Sequence, residues 1–126
     1  MGDLTDDRTL TLPVPIVDTW FHIVYLGELD ADDTHDLKIL TATQGSEFFN
    51  GGITWNNTVA NDNDDASSDL AFNSIVNGNG SSNDGIDIRL AAGADIWLHA
   101  KSTTVWYVWG TVTGLTIPTI GDSVTG

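Results

Sequence analysis

The sequence predicts an all-β domain, an antiparallel β-sandwich of jelly-roll-like order with about eight short strands. Three observations lead to this prediction. Glycine occurs 13 times and Asn, Asp, Ser and Thr are plentiful, whereas Lys and Glu, which favour helices, are scarce. Apolar and polar residues alternate clearly in the C-terminal third, and turn signals separate short apolar runs. A length of 126 residues suits one such domain.

The first half of the chain contains several predicted strands. Arg8 to Leu12 alternates and stops at Pro13, which places it near a sheet edge because proline cannot donate to a ladder. The run from Thr19 to Leu26 is aromatic and β-branched almost throughout, which predicts a strand buried on both faces. A third strand is predicted over 36–43, and a strand pair over 48–55 with a turn or bulge at its Asn-Gly-Gly sequence.

The second half alternates between predicted loops and predicted strands. The polar runs 61–69 and 77–85 are predicted to be long surface loops. The apolar stretch 70–76 between them fits either a short strand or one helical turn. Alternation over 86–90 predicts another strand, and alternation over 95–112 predicts a closing hairpin.

The closing hairpin has two apolar faces. Trp106 and Val108 share one face, whereas Tyr107 and Trp109 share the other. A soluble monomer cannot expose both faces without a large apolar patch, so one face is predicted to be core and the other an interface. A contact between copies of the chain is favoured over a sugar-binding platform, which stays the alternative for exposed aromatic rings. The predicted interface residues are Trp97, His99, Tyr107 and Trp109.

Two stretches of the hairpin region carry a family resemblance. Leu90 to Leu98 (LAAGADIWL) and Trp106 to Thr113 (WYVWGTVT) resemble the last two strands of jelly-roll modules in phage structural proteins. A short acidic chain that is nearly all jelly roll resembles a head decoration protein, also called a cement protein. That resemblance implies a homotrimer on the outer capsid surface of the virion, made in the host cytoplasm. It would bridge major capsid protein subunits and stabilise the capsid, and the resemblance supplies no functional residue.

The expected layout has three parts. Residues 1–18 form an N-terminal arm with the first short strand, 19–113 form the jelly roll, and 114–126 form an extended C-terminal tail. The alternative function is a carbohydrate-binding jelly-roll module of a phage tail or adsorption apparatus, since exposed aromatic rings also bind sugars.

Charge and missing motifs exclude several classes of function. The net charge is −14, and only four residues are basic: Arg8, Lys38, Arg89 and Lys101. Four scattered cations are too few to neutralise a row of phosphates. The sequence therefore predicts neither nucleic acid nor an anionic membrane as a partner. The chain has no cysteine and no nucleophile motif, which predicts a non-enzymatic protein without a cofactor. Neither a signal peptide nor a membrane-spanning run is predicted, so the protein is expected to be soluble.

Two acidic clusters raise the question of a metal ion. The stretch 30–36 combines aspartates with His35, and carboxylates and imidazole are both metal ligands. The stretch 61–65 resembles the start of a calcium loop, but the glycine and the distant glutamate of that loop are missing. Solvated acidic loops are therefore favoured at both places, and no metal site is predicted.

Overall fold

A computed structural model describes residues 6–26, 35–57, 73–89, 91–114 and 116–122. These residues form two β-sheets packed against each other and contain no helix, which confirms the predicted all-β sandwich. The strands are β1 (Arg8–Thr11), β2 (Trp20–Tyr25), β3 (Leu37–Leu40), β4 (Phe48–Asn57), β5 (Asn73–Asn79), β6 (Gly85–Ile88), β7 (Ala91–Ala100), β8 (Val105–Gly114) and β9 (Thr119–Gly121).

The two sheets are mixed rather than antiparallel throughout. One has the strand order β1-β3-β6-β9 and the other the order β2-β7-β8-β4-β5. Strand β1 pairs with β3 in parallel, and β4 pairs with β8 in parallel. Parallel neighbours need a long crossover connection, so local turn signals cannot reveal them and the sequence suggested antiparallel pairing alone. The predicted closing hairpin is confirmed, since β7 and β8 pair in antiparallel.

The core lies between the sheets and is built from one face of each. In the four-stranded sheet, a single row of paired side chains crosses all four strands: Leu10, Ile39, Ile86 and Ile120. The five-stranded sheet contributes the fully buried Phe49, Ile53, Ile96, Leu98, Trp106 and Val108. Burial of these apolar side chains supplies the main driving force for folding.

Strand β4 runs straight through the sequence that predicted a turn. The expected strand pair over 48–55 is wrong, because β4 is one strand of 10 residues. Gly51 adopts a φ of 112° and Gly110, on the neighbouring β8, a φ of 141°. A Cβ on Gly51 would overlap the carbonyl oxygen of Val108, and one on Gly110 would overlap that of Asp95. Glycine here permits close strand approach instead of chain reversal.

Both ends of the described chain belong to the four-stranded sheet. Strand β1 lies at its edge, as predicted. Residues 114–126 were predicted to form an extended tail outside the jelly roll. That prediction is wrong for 119–121, where strand β9 pairs with β6 and Ile120 is buried. The stretch 77–85 is not a single loop either, because β5 continues to Asn79 and β6 begins at Gly85.

Candidate binding face

The outer face of strands β2, β7 and β8 carries a continuous group of aromatic and imidazole rings. All four predicted interface residues lie there, and the two sheet-edge residues Trp20 and His22 join them. We call this group the aromatic face, and its members are Trp20, His22, Trp97, His99, Tyr107 and Trp109.

Strand register explains why these side chains meet. One row across the sheet pairs Trp20 with His99 and His99 with Tyr107. The next row pairs His22 with Trp97, and Trp97 with Trp109. Side chains directly opposite each other on one face of a sheet lie within contact distance, so two adjacent rows produce one patch of rings.

Strand β2 was expected to be buried on both faces, and that prediction is wrong. The strand lies at the edge of its sheet, and its outward residues Trp20 and His22 are exposed. Trp20 keeps 52% of its surface in contact with solvent, compared with 38% for Trp97 and 37% for Tyr107. Large aromatic residues are thus left outside the core of an otherwise well-packed sandwich.

The rings hold one another in fixed positions. Trp20 stacks on His99 with ring centroids 4.0 Å apart and planes 9° from parallel. His22 stacks on Trp97 at 3.9 Å and 8°. Trp97 and Trp109 are also nearly parallel, at 6.3 Å and 12°. Such contacts restrict the orientations that each ring can adopt.

Each stacked histidine is also bonded to an aspartate. His22 Nε2 lies 2.7 Å from Asp95 Oδ1, and His99 Nε2 lies 3.2 Å from Asp18 Oδ1. Asp18 is held by its own backbone, which has a φ of 66° and donates its N–H to the carbonyl of Ala100. These bonds orient both imidazoles against the indole rings.

A short sequence repeat underlies this arrangement and was missed in the sequence analysis. Asp-x-Trp-x-His occurs as residues 18–22, leading into and along β2, and again as residues 95–99 on β7. Because β2 and β7 pair in antiparallel, each tryptophan lies opposite the histidine of the other copy. Each aspartate likewise bonds the histidine of the other copy. Spacing alone could have revealed the repeat, but not that the two copies pair.

The surroundings of the aromatic face differ from one side to the other. On strands β4 and β5, the same two rows continue with Asn50, Gly52, Asn77 and Asn79. The outer surface there is therefore polar and has no aromatic ring in these rows. Beside β2, the segment before the strand exposes three aliphatic residues, Val14, Ile16 and Val17. Lys101 lies at the end of β7, with its Nζ 5.2 Å from the centre of the Tyr107 ring.

The acidic clusters proposed as metal-site alternatives lie largely outside the described residues. This holds for 61–65 and for 30–34 of the first cluster. His35 is described, and its Nδ1 lies 3.7 Å from Asp7 Oδ1. Within the described parts of the chain, no three His, Cys, Asp or Glu side chains come together in a way that could hold a metal ion.

Comparisons with known proteins gave no match. Neither a scan against protein-family models, nor a search of curated proteins, nor a search of solved structures found a similar protein. A search of the described residues for a helix long and apolar enough to cross a membrane also found none.

Proposed function

We propose that the chain is a non-enzymatic structural protein of a phage virion that decorates the outside of the capsid. In this proposal the aromatic face, which the sequence led us to expect as a contact between copies of the chain, instead docks onto major capsid protein subunits, so that the protein bridges them. The observation that carries the proposal is the group of ordered, partly exposed rings on one outer face of the sandwich. The resemblance of the closing hairpin to phage jelly-roll modules supplies the biological setting.

Aromatic side chains favour a protein partner on energetic grounds. Trp and Tyr are enriched among the residues that contribute most to protein–protein binding. The rings of the aromatic face already lie in stacked pairs, so docking would immobilise few additional side chains. A bound decoration protein stabilises the assembled shell because it binds the assembled state and not the separate subunits.

The charge of this chain indicates which kind of partner surface would fit the aromatic face. The chain carries −14 overall, so it repels other acidic surfaces at long range. The charged side chains described beside the rings are Asp18, Asp95 and Lys101. A fitting partner would offer an apolar centre with basic groups around it.

The proposal includes a homotrimer. A second set of exposed apolar residues lies in the segment that precedes β2, where Ile16 is 71% and Val14 57% exposed. We assign it to contacts between copies, because aliphatic area buried between identical subunits stabilises an oligomer. Sedimentation equilibrium tests this assignment. A trimer that becomes a monomer in Ile16→Ser supports it, and a monomeric wild-type protein contradicts it.

Electron microscopy of phage heads tests the docking. Heads from the phage that encodes the chain, stripped of the protein, are mixed with wild-type protein or with Trp20→Ala/Trp97→Ala. We expect added density on the head with the wild type and a loss of occupancy of at least about tenfold in the variant. Ile117→Ala is the matched control, since Ile117 is 45% exposed but precedes β9 of the other sheet. Equal occupancy for wild type and double variant would contradict docking by this face.

One observation favours carbohydrate as a second candidate ligand. Asp18 and Asp95 sit among the rings with 83% and 63% of their side chains exposed, whereas the centres of protein interfaces are depleted in aspartate. A sugar uses both features, because its C–H groups pack on ring faces and its hydroxyls donate to carboxylates. Titration with uncharged hexasaccharides of glucose, mannose and N-acetylglucosamine tests this candidate. Binding that Asp95→Asn abolishes would support it, and no binding at millimolar concentration would dismiss it.

A further inference from the structure

We propose that the partner docks by strand addition, in which an extended segment of the capsid protein pairs with the free edge of β2 and continues the five-stranded sheet. The inference rests on the proposed function and specifies what the partner brings to the aromatic face. Three features of the β2 edge carry it: open backbone groups, an unsealed part of the core, and two exposed carboxylates nearby.

The backbone of β2 leaves hydrogen-bonding groups open at the edge of the sheet. Strand β2 is the first in the order β2-β7-β8-β4-β5, so only β7 pairs with it among the described residues. Ala100 of β7 donates its N–H to the carbonyl of Thr19, one position before β2 begins. Bonded positions alternate along an antiparallel pair, so the N–H and C=O groups of Trp20 and His22 point away from β7. An extended partner chain would satisfy these groups.

The core is incompletely sealed on the same side of the sandwich. In the described part of the chain, three partly buried apolar side chains pack against the buried core, and they are Leu10, Phe21 and Ile23. All three lie on the edge strands β1 and β2, opposite the side where β5 contacts β9. A segment paired with β2 would place every second side chain beside Phe21 and Ile23. Apolar residues at those positions would complete their burial, which favours binding.

The other side chains of an added strand would face the same way as the aromatic face. They would extend the two rows that begin at Trp20 and His22. Asp18 and Asp95 lie on this face with 83% and 63% of their side chains exposed. A Lys or Arg at an outward position would pair with these carboxylates and stack on an indole ring. The fitting segment therefore alternates apolar inward residues with basic outward residues.

A second copy of this chain fits the edge less well than such a segment. Pairing of two β2 strands would bring residues 18–26 of both copies together, and this stretch contains Asp18 but no Lys or Arg. The exposed carboxylates would then gain no basic partner, and those of the two copies would repel each other. We therefore assign the β2 edge to the partner protein.

Two variants of His22 test the backbone contact on stripped heads. His22→Ala and His22→Pro both lose the imidazole, but only the proline also loses the N–H at the open edge. Proline is compatible with the fold there, because this N–H does not pair with β7. We expect His22→Pro to bind at least about tenfold more weakly than His22→Ala. Asn77→Pro and Asn77→Ala are the matched control and should bind alike, because Asn77 ends the same row on the opposite edge strand β5.

The outcomes separate the inference from the proposed function. Equal binding of His22→Pro and His22→Ala would overturn strand addition and leave docking by the aromatic face in place. An absence of wild-type binding to the heads would overturn the proposed function and strand addition with it. Urea unfolding of all four variants identifies any weaker binding that is caused by lost stability.

Hydrogen exchange of the wild-type protein gives a reading that no variant needs to fold for. We expect the amides of Trp20 and His22 to exchange at least about tenfold more slowly on the heads than in free solution, because the added strand would bond this edge. The amide of Asn77 should exchange at the same rate in both states. Unchanged exchange at Trp20 and His22 in the docked protein would overturn the proposal.

The basic side chains of the partner segment are tested by Asp18→Asn combined with Asp95→Asn. Asparagine keeps the size of both side chains, and it tolerates the positive φ of Asp18. Binding to stripped heads should weaken about tenfold, and its dependence on NaCl concentration should become smaller. Binding as tight as that of the wild type, with the same salt dependence, would contradict a basic segment at this edge.

Discussion

Both sheets of the sandwich bury an apolar inner face, but their outer faces differ: one is polar and the other is aromatic. Across the four-stranded sheet, one outward row in register is Thr9, Lys38, Asp87 and Thr119. Across the five-stranded sheet, an equivalent row begins with His22, Trp97 and Trp109. The first row is what a sheet with one solvated face normally shows. The second is not needed to cover the core, and it is the surface to which the proposed docking is assigned.

Their energetic roles should differ accordingly. Side chains between the sheets are removed from water by folding alone, so they stabilise the folded state. Trp20, Trp97 and Tyr107 keep more than a third of their surface in water in the isolated chain, with Trp20 the most exposed, whereas His99 and Trp109 are half-buried. Substitutions inside the sandwich should therefore reduce stability, whereas substitutions on the aromatic face should reduce binding.

The largest expected effect on stability comes from Trp106, which is fully buried. Trp106→Ala would leave a large cavity and should lower the free energy of unfolding by about 3–5 kcal/mol, measured by urea denaturation. Trp106→Phe should cost less, because the indole Nε1 has no hydrogen-bond partner among the described residues. A loss below about 1 kcal/mol in Trp106→Ala would contradict the assignment of this residue to the core.

A smaller loss is expected when the close approach of β7 and β8 is disturbed. Gly110→Ala places a Cβ against the carbonyl of Asp95, at a φ that L-residues rarely adopt. We expect the free energy of unfolding to fall by about 1–3 kcal/mol. Gly45→Ala is the control, because Gly45 also has a positive φ but a Cβ there meets no atom within 4 Å. If both variants lose the same stability, backbone strain alone explains the effect and close strand approach does not.

The smallest expected change in the free energy of unfolding comes from Asp87, in the outward row of the four-stranded sheet, and this change is a gain in stability. Burial raises the pKa of Asp87 above 3.8, and the nearby Asp36 raises it further. The folded protein therefore holds this proton more tightly than the unfolded chain does. Its contribution is favourable below the unfolded value and is lost as the pH rises through the folded value. Asp87→Asn should increase stability at neutral pH by less than about 1 kcal/mol.

Measuring that gain at about pH 7 and again at about pH 3.5 checks the sign. The gain should disappear at the lower pH, where the wild-type carboxyl is protonated as well. Asp122→Asn, at an exposed position after β9, is the matched control and should show no such change. A gain that persists at the lower pH would contradict the role of the Asp87 charge.

Local patterns predicted the parts of the fold that depend on neighbouring residues. Alternation along 95–112 was sufficient for the closing hairpin, and it separated Trp106 and Val108 from Tyr107 and Trp109 correctly. It also placed the four predicted interface residues on one face. Strand β1 was likewise predicted at an edge from Pro13 alone.

Features that depend on distant residues were missed. The parallel pairing of β4 with β8 brings together segments that are far apart in the sequence. Strand β2 was expected to be buried because its composition is apolar, but its position at a sheet edge leaves Trp20 outside. The stacked Trp–His pairs require the register of β2 against β7, which no local pattern contains.

Urea unfolding of Trp97→Ala, measured beside Trp106→Ala, tests the central claim most directly. Both substitutions remove an indole from the same hairpin, one from the outer face and one from the core. We predict that Trp97→Ala costs less than about 1.5 kcal/mol, the amount expected for lost ring contacts at a partly exposed site. A loss of about 3 kcal/mol or more in Trp97→Ala would contradict the claim that the outer rings serve binding rather than folding.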